Sequence, residues 1–292
     1  MKKLLFIFGT RPEAIKMAPV IKAFQKRETE FDVKVCVTGQ HREMLDQVLK
    51  FFEISPDFDL SIMKPDQSLF TVTSSCLLGL EKVLAEFTPE IIFVQGDTTS
   101  AFVGALAGFY KQIKVAHIEA GLRSGNKYSP WPEEVNRILA GHIAEIHFAP
   151  TMGAKANLEK ENIKSHVEVV GNTVVDALFL GLELIKKQGE GTYFKEFEFI
   201  DWNKKIILVT GHRRESFGKP FENVFEALKE IVAKHPEYQI VYPVHLNPNV
   251  QSSVAKLLHN IDNIHIIKPL SYPSLIWLLS KSYFVLTDSG GI

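Results

Sequence analysis

Short apolar runs alternate along this chain with longer stretches of helical spacing. The first series of runs covers residues 4–8, 33–37, 91–94, 115–118, 146–149 and 167–170. A second series covers 206–209, 240–244, 264–267 and 284–286. Short, largely apolar runs followed by helix-length segments are the signature of βαβ units and a buried parallel sheet. The pattern therefore predicts two doubly wound (Rossmann-like) α/β domains, at 1–171 and 172–292. Between the two series lie a helical pattern over 173–187, the breaker Gly189-Glu190-Gly191, and an aromatic, charged stretch over 193–202. The second series has four strands where a comparable half usually has about six, so the second domain reads as C-terminally incomplete.

Composition narrows the class. The chain has 292 residues, 46% of them apolar and 23% charged, enough for two cores of ordinary globular kind. Its 33 Lys and Arg against 34 Asp and Glu leave a formal net charge of -1, which offers no basic field for nucleic acid. No run approaches the roughly 20 apolar residues of a membrane span, and the short apolar start after Met1-Lys2-Lys3 reads as a buried strand, not a signal peptide. The two cysteines, Cys36 and Cys76, have no metal-ligand spacing and read as reduced thiols of a cytoplasmic protein.

Candidate chemistry gathers where the predicted strands end. Gly9-Thr10-Arg11-Pro12-Glu13-Ala14-Ile15-Lys16 follows the first strand, with Arg11 and Lys16 placed to face a ligand; the competing reading is a capped helix with solvent-facing charges. Gln95-Gly96-Asp97-Thr98-Thr99-Ser100 ends a strand so apolar that it must be central, and His117-Ile118-Glu119-Ala120-Gly121-Leu122-Arg123 repeats the arrangement one unit later. Two carboxylates from neighbouring strand ends suit proton transfer. The competing reading makes Asp97 a helix N-cap and pairs Glu119 with Arg123. Pro130-Trp131-Pro132-Glu133-Glu134 opens a further helix, where Glu134 reads as an acid favoured by the helix dipole and Glu133 as a residue that a stiff loop could aim into a cleft. In the second half, Thr210-Gly211-His212-Arg213-Arg214, Pro243-Val244-His245 and Ser289-Gly290-Gly291 each follow a strand and together offer guanidinium, imidazole, hydroxyl and backbone donors for a diphosphate. Gly-x-Gly-x-x-Gly after the first strand, Walker A, His-Glu-x-x-His and nucleophile-elbow patterns are all missing, which speaks against a bound dinucleotide, ATP hydrolysis, zinc and acyl-enzyme chemistry.

Taken in order, Gly9-Thr10-Arg11-Pro12-Glu13, Thr38-Gly39-Gln40-His41-Arg42-Glu43-Met44, Gln95-Gly96-Asp97-Thr98-Thr99, the segment from His117 to Arg123, Pro130-Trp131-Pro132-Glu133-Glu134, the segment from Gly211 to Gly218 and Asp288-Ser289-Gly290-Gly291 closely resemble the bacterial non-hydrolysing UDP-N-acetylglucosamine 2-epimerases. The resemblance implies a GT-B-like pair of domains and reversible conversion of UDP-N-acetylglucosamine into UDP-N-acetylmannosamine. It implies elimination of UDP to 2-acetamidoglucal and re-addition on the other face, with no NAD and no metal. It assigns Asp97, Glu119 and Glu133 as acid/base carboxylates and His212 as the histidine near the leaving diphosphate. Arg11 and Lys16 match substrate-contacting positions, and His245, Ser289, Gly290 and Gly291 match the diphosphate site. Gln40, His41 and Arg213 resemble positions through which bacterial members sense a second UDP-N-acetylglucosamine as activator; the competing reading of Gln40 and His41 is a helix cap. A homodimer serving surface-polysaccharide synthesis is implied as well. The alternatives are a hydrolysing relative that releases UDP and free N-acetylmannosamine, and a nucleotide-sugar-binding chain without turnover. The family pattern runs on past Gly290-Gly291-Ile292 into a helix and further strands, so weakened or absent turnover is expected of a truncated chain.

Overall fold

The structure is a computed structural model, and it describes residues 1–39, 42–63, 67–210, 219–244 and 261–287. The chain divides into two compact units, Met1–Leu180 and Gly181–Ile292.

The first unit is a sheet of seven parallel strands in the order β3-β2-β1-β4-β5-β6-β7. Its strands are β1 (Lys2–Phe8), β2 (Phe31–Val37), β3 (Phe58–Asp59), β4 (Ile91–Gln95), β5 (Lys114–Ile118), β6 (Ile146–Ala149) and β7 (Val167–Val169). The helices between them are α1 (Arg11–Gln25), α2 (Arg42–Phe51), α3 (Leu69–Glu86), α4 (Thr99–Tyr110), α5 (Glu133–Ile143) and α6 (Met152–Lys160). Leu5, Ile7, Ile92 and Val94 are fully buried, because β1 and β4 lie in the middle of the sheet with helices over both faces. Every predicted strand of this half is present. The two-residue β3 carries too little apolar pattern to be visible in the sequence.

Strand order reverses between β1 and β4. From β1 the chain crosses through α1 to β2 on one side, and from β4 it crosses through α4 to β5 on the other. Such a switch point leaves a crevice at the carboxyl ends of its two strands, where ligands of doubly wound sheets bind. Tight packing shapes the crevice: a Cβ at Gly9 would stand 2.1 Å from Thr38 Oγ1 and 2.5 Å from Ser100 Oγ, so only glycine lets β1 turn there.

The second unit has four parallel strands in the order β10-β9-β8-β11, among the described residues. They are β8 (Lys205–Val209), β9 (Tyr238–Pro243), β10 (Ile264–Ile267) and β11 (Phe284–Leu286). Helix α7 (Thr173–Gln188) carries the chain from one unit into the other, followed by α8 (Gly191–Glu196); α9 (Lys219–Lys234) and α10 (Tyr272–Lys281) flank the strands. The aromatic stretch between the two series packs onto this unit, with Phe197 buried and Phe194, Phe199 and Trp202 partly exposed. Tyr193 and Phe197 stack on the buried Trp277 of α10 at 5.5 Å, and Phe194 and Trp202 meet it edge-on at 5.0 and 5.5 Å. No helix among the described residues is long and apolar enough to cross a membrane.

Candidate active site

A cavity of roughly 250 Å³ opens at the switch point, lined by Glu13, Lys16, Gln95, Asp97, Thr98 and Glu119 among others. It brings Lys16, Asp97 and Glu119 together. Arg11, exposed at the start of α1, and Glu133 lie outside its lining.

Its walls are built by local sequence chemistry. Thr10 caps α1, and Glu13, three residues on, accepts from the Thr10 and Gly9 backbone N–H groups at 2.8 and 3.1 Å. Thr98 caps α4, accepting from Ala101 N at 3.0 Å and donating its hydroxyl to Glu13 at 2.6 Å. Glu13 therefore ties the β1 turn to the β4 turn across the switch point. Only 2% of it is exposed, and burial raises its carboxyl above the usual range against the opposing pull of its hydrogen-bond donors. At this helix start Arg11 is exposed, Glu13 is buried and Lys16 pairs with Glu119.

Glu119 follows β5 with a positive φ of 65°, an uncommon setting for a residue with a side chain. Lys16 Nζ donates to its Oε2 at 2.6 Å, Gln95 Nε2 donates to the same oxygen, and Asn172 Nδ2 donates to Oε1 at 2.8 Å. Its side chain is 11% exposed. Arg123 is not its partner; that guanidinium is held instead by Glu161 at 2.7 and 2.8 Å.

Asp97 follows Gly96, whose φ of 70° aims the chain out of β4. Asp97 is not the cap of α4, a place taken by Thr98. Its Oδ2 accepts from Arg137, and its backbone carbonyl accepts from Asn136 Nδ2 at 3.0 Å, so two successive residues of α5 hold it. His117 completes the mount, donating Nε2–H to Gly96 O at 2.7 Å. Burial pushes that imidazole down to about 4, with the charges of Arg123 and Arg137 acting the same way against the Gly96 hydrogen bond, so it stands neutral at pH 7.

Glu133 and Glu134 have different environments at the start of α5. Glu134, 1% exposed, accepts from the Ser124 and Gly125 N–H groups at 2.9 to 3.0 Å and pairs with Arg137 at 3.2 Å, so it fixes a loop and does more than complement the helix dipole. Glu133 is half-buried, with Oε2 shielded from solvent and lacking a hydrogen-bond partner among the described residues. His212, His245, Ser289, Gly290 and Gly291, together with Gln40, His41 and Arg213, lie outside the described residues. Among the described residues there is no cluster of three or more His, Cys, Asp or Glu side chains that could hold a metal ion. Both cysteines are free and buried.

The site residues that the sequence did not single out are Glu13, Gln95, Arg137 and Asn172. A Thr-x-x-Glu capping box marked Glu13. The long-range reach of Arg137 and Asn172 left no local trace.

Fold and cavity define a class: a protein of two Rossmann-like parallel α/β units, as in GT-B-like folds, whose switch point holds paired carboxylates and a lysine suited to moving protons on a bound small molecule. Residues 22–292 match the family model described as UDP-N-acetylglucosamine 2-epimerase. The UDP-N-acetylglucosamine 2-epimerase of Yersinia pestis is 54% identical over 99% of this chain and 78% of its own length. The crystal structure of UDP-GlcNAc 2-epimerase from Neisseria meningitidis bound to UDP-GlcNAc superposes with a TM-score of 0.86 at 50% identity, over 99% of this chain and 78% of that one. A putative UDP-N-acetylglucosamine 2-epimerase from Listeria monocytogenes superposes with a TM-score of 0.90 at 44% identity, covering 100% of this chain and 75% of that one. The chain belongs to the UDP-N-acetylglucosamine 2-epimerase family, and so to a family of isomerases.

Proposed function

We propose that this chain interconverts UDP-N-acetylglucosamine and UDP-N-acetylmannosamine by eliminating UDP and adding it back. The observation that carries the reading is the placement of Asp97 and Glu119, at the ends of adjacent strands, in one cavity with Lys16. The C2 proton of the sugar is not acidic, and its loss becomes feasible when the C1–O bond breaks with it. One carboxylate takes the proton while the bonding pair leaves on the diphosphate oxygen, giving 2-acetamidoglucal and UDP. Returning a proton to the opposite face of C2 and rejoining UDP at C1 completes the inversion, with no net oxidation.

Asp97, Glu119 and Glu133 are the acid/base groups in this reading, Arg11 and Lys16 hold substrate, and His212, His245, Ser289, Gly290 and Gly291 serve the diphosphate. Positive and hydrogen-bonding groups there stabilise the charge that develops on the leaving oxygen. Gln40, His41 and Arg213 belong to an activator site for a second UDP-N-acetylglucosamine, and the working assembly is a cytoplasmic homodimer that supplies polysaccharide synthesis.

Proton NMR of the chain with UDP-N-acetylglucosamine in D2O tests the reading. The expected product is UDP-N-acetylmannosamine carrying deuterium at C2. Release of free N-acetylmannosamine would point to water adding to the glycal instead, and an unchanged C2 proton would sink the reading. Asp97→Asn and Glu119→Gln are each expected to slow C2 exchange by about 10²–10⁴-fold.

A further inference from the structure

Glu119 combines a left-handed backbone, which costs free energy for any residue with a Cβ, with a carboxylate held at both oxygens. Such a setting persists only where surrounding contacts over-determine it. Two donors, Lys16 and Gln95, converge on Oε2. Contacts to one oxygen leave the carboxylate free to swing about that anchor. The plane is fixed by Oε1, whose partner among the described residues is Asn172.

Asn172 is itself locked. Its Oδ1 accepts from Val174 N at 3.0 Å, an Asx turn that opens α7, and this commits the amide's other end to donate. One side chain thus spans from the residue just before the helix that leaves the N-terminal unit to a carboxylate at a strand end 53 residues earlier. We infer that Asn172 is a positioning residue for Glu119, fixing the rotation of its carboxylate and fastening the start of α7 to the cavity. The inference rests on the acid/base reading of Glu119.

Asn172→Asp separates positioning from helix capping. Aspartate caps as well as asparagine, so the Asx turn survives. The donor to Oε1, however, becomes a second carboxylate, and two carboxylates at that distance cannot both stay charged. The expected result is a turnover number lowered about 10²-fold with KM changed less than about threefold, as a misplaced catalytic group predicts. Thermal stability of Asn172→Asp should fall below wild type at pH 8, and the gap should narrow at pH 5, since a proton taken up by either carboxylate relieves the repulsion. Adding Glu119→Gln to that variant, which sets an amide donor opposite the new carboxylate, should restore the lost stability at pH 8. Wild-type turnover and a wild-type melting curve at both pH values for Asn172→Asp would overturn the inference. Failure of the functional reading looks different: Glu119→Gln would exchange the C2 proton at the wild-type rate, or the wild-type chain would not exchange it, while the stability cycle would still report whether Asn172 anchors Glu119.

Discussion

The switch-point cavity of the first unit and the aromatic cluster around Trp277 in the second solve the same problem, holding distant segments together, by opposite means. At the cavity the fastening is polar: Glu13 joins two turns, Arg137 joins α5 to Asp97, and Asn172 joins α7 to Glu119. Each bond is directional, and losing one partner strands a buried group that cannot return to water. Around Trp277 the fastening is apolar, with four rings packed on one indole whose Nε1 has no hydrogen-bond partner among the described residues. Rings tolerate adjustment and carry no charge. The first arrangement aims groups, and the second only fills space.

The largest test of that contrast is Trp277→Ala. Emptying the centre of the cluster should cost about 3–5 kcal/mol of stability in urea unfolding. The cost should be the same at pH 7 and pH 5, because the Tyr193 phenol of the cluster, raised by burial above its ordinary value of 10.0, stays neutral across that range; a cost that changed with pH would blur the distinction.

Next in size is the pH response of the cavity side. His117 has an ordinary value of 6.5 in the unfolded chain and about 4 when folded. Between those values the unfolded chain binds a proton that the folded chain refuses, so acidification favours unfolding. The stability is full above pH 6.5 and is lost as pH falls towards 4, by about 3 kcal/mol from this residue alone. His147, lowered by burial in the same direction, adds to the slope. Urea unfolding across pH 4 to 7 should show the loss, and His117→Gln, which keeps a donor for Gly96 O, should flatten it. An unchanged slope in that variant would place the acid sensitivity elsewhere.

The smallest expected effect is that of Gly96→Ala. A Cβ there would meet Glu119 Oε2 at 3.7 Å, an ordinary contact, so the expense is the positive φ alone, about 1–2 kcal/mol. Because Asp97 is the next residue, C2 exchange should fall by more than the stability change suggests, and comparing exchange rate with melting temperature checks this. Equal and small losses in both would mean that Asp97 tolerates displacement.

Much of this was legible in the chain. The apolar runs located every described strand of both sheets except β3, whose pairing with β2 depends on position and not on pattern. The strand-end motifs placed Asp97, Glu119 and Lys16 near one another because parallel sheets put their carboxyl ends on one edge. The stretch from Tyr193 to Trp202 stood out in the sequence only as an aromatic, charged segment between the two series, and only the arrival of α10 gives its rings a surface to pack on.

What the sequence determined by itself is what local spacing can encode: parallel α/β units, a capped helix after β1, the glycines that turn the chain out of β1 and β4, and the polar character of the strand ends. Tertiary structure alone decided the partners. Sequence offered Arg123 to Glu119 four residues away, whereas the fold supplied Lys16, Gln95 and Asn172 from three other segments and gave Arg123 to Glu161. A charged side chain takes its partner from whatever stands within about 3 Å, and that neighbourhood exists only once the strands have set their order.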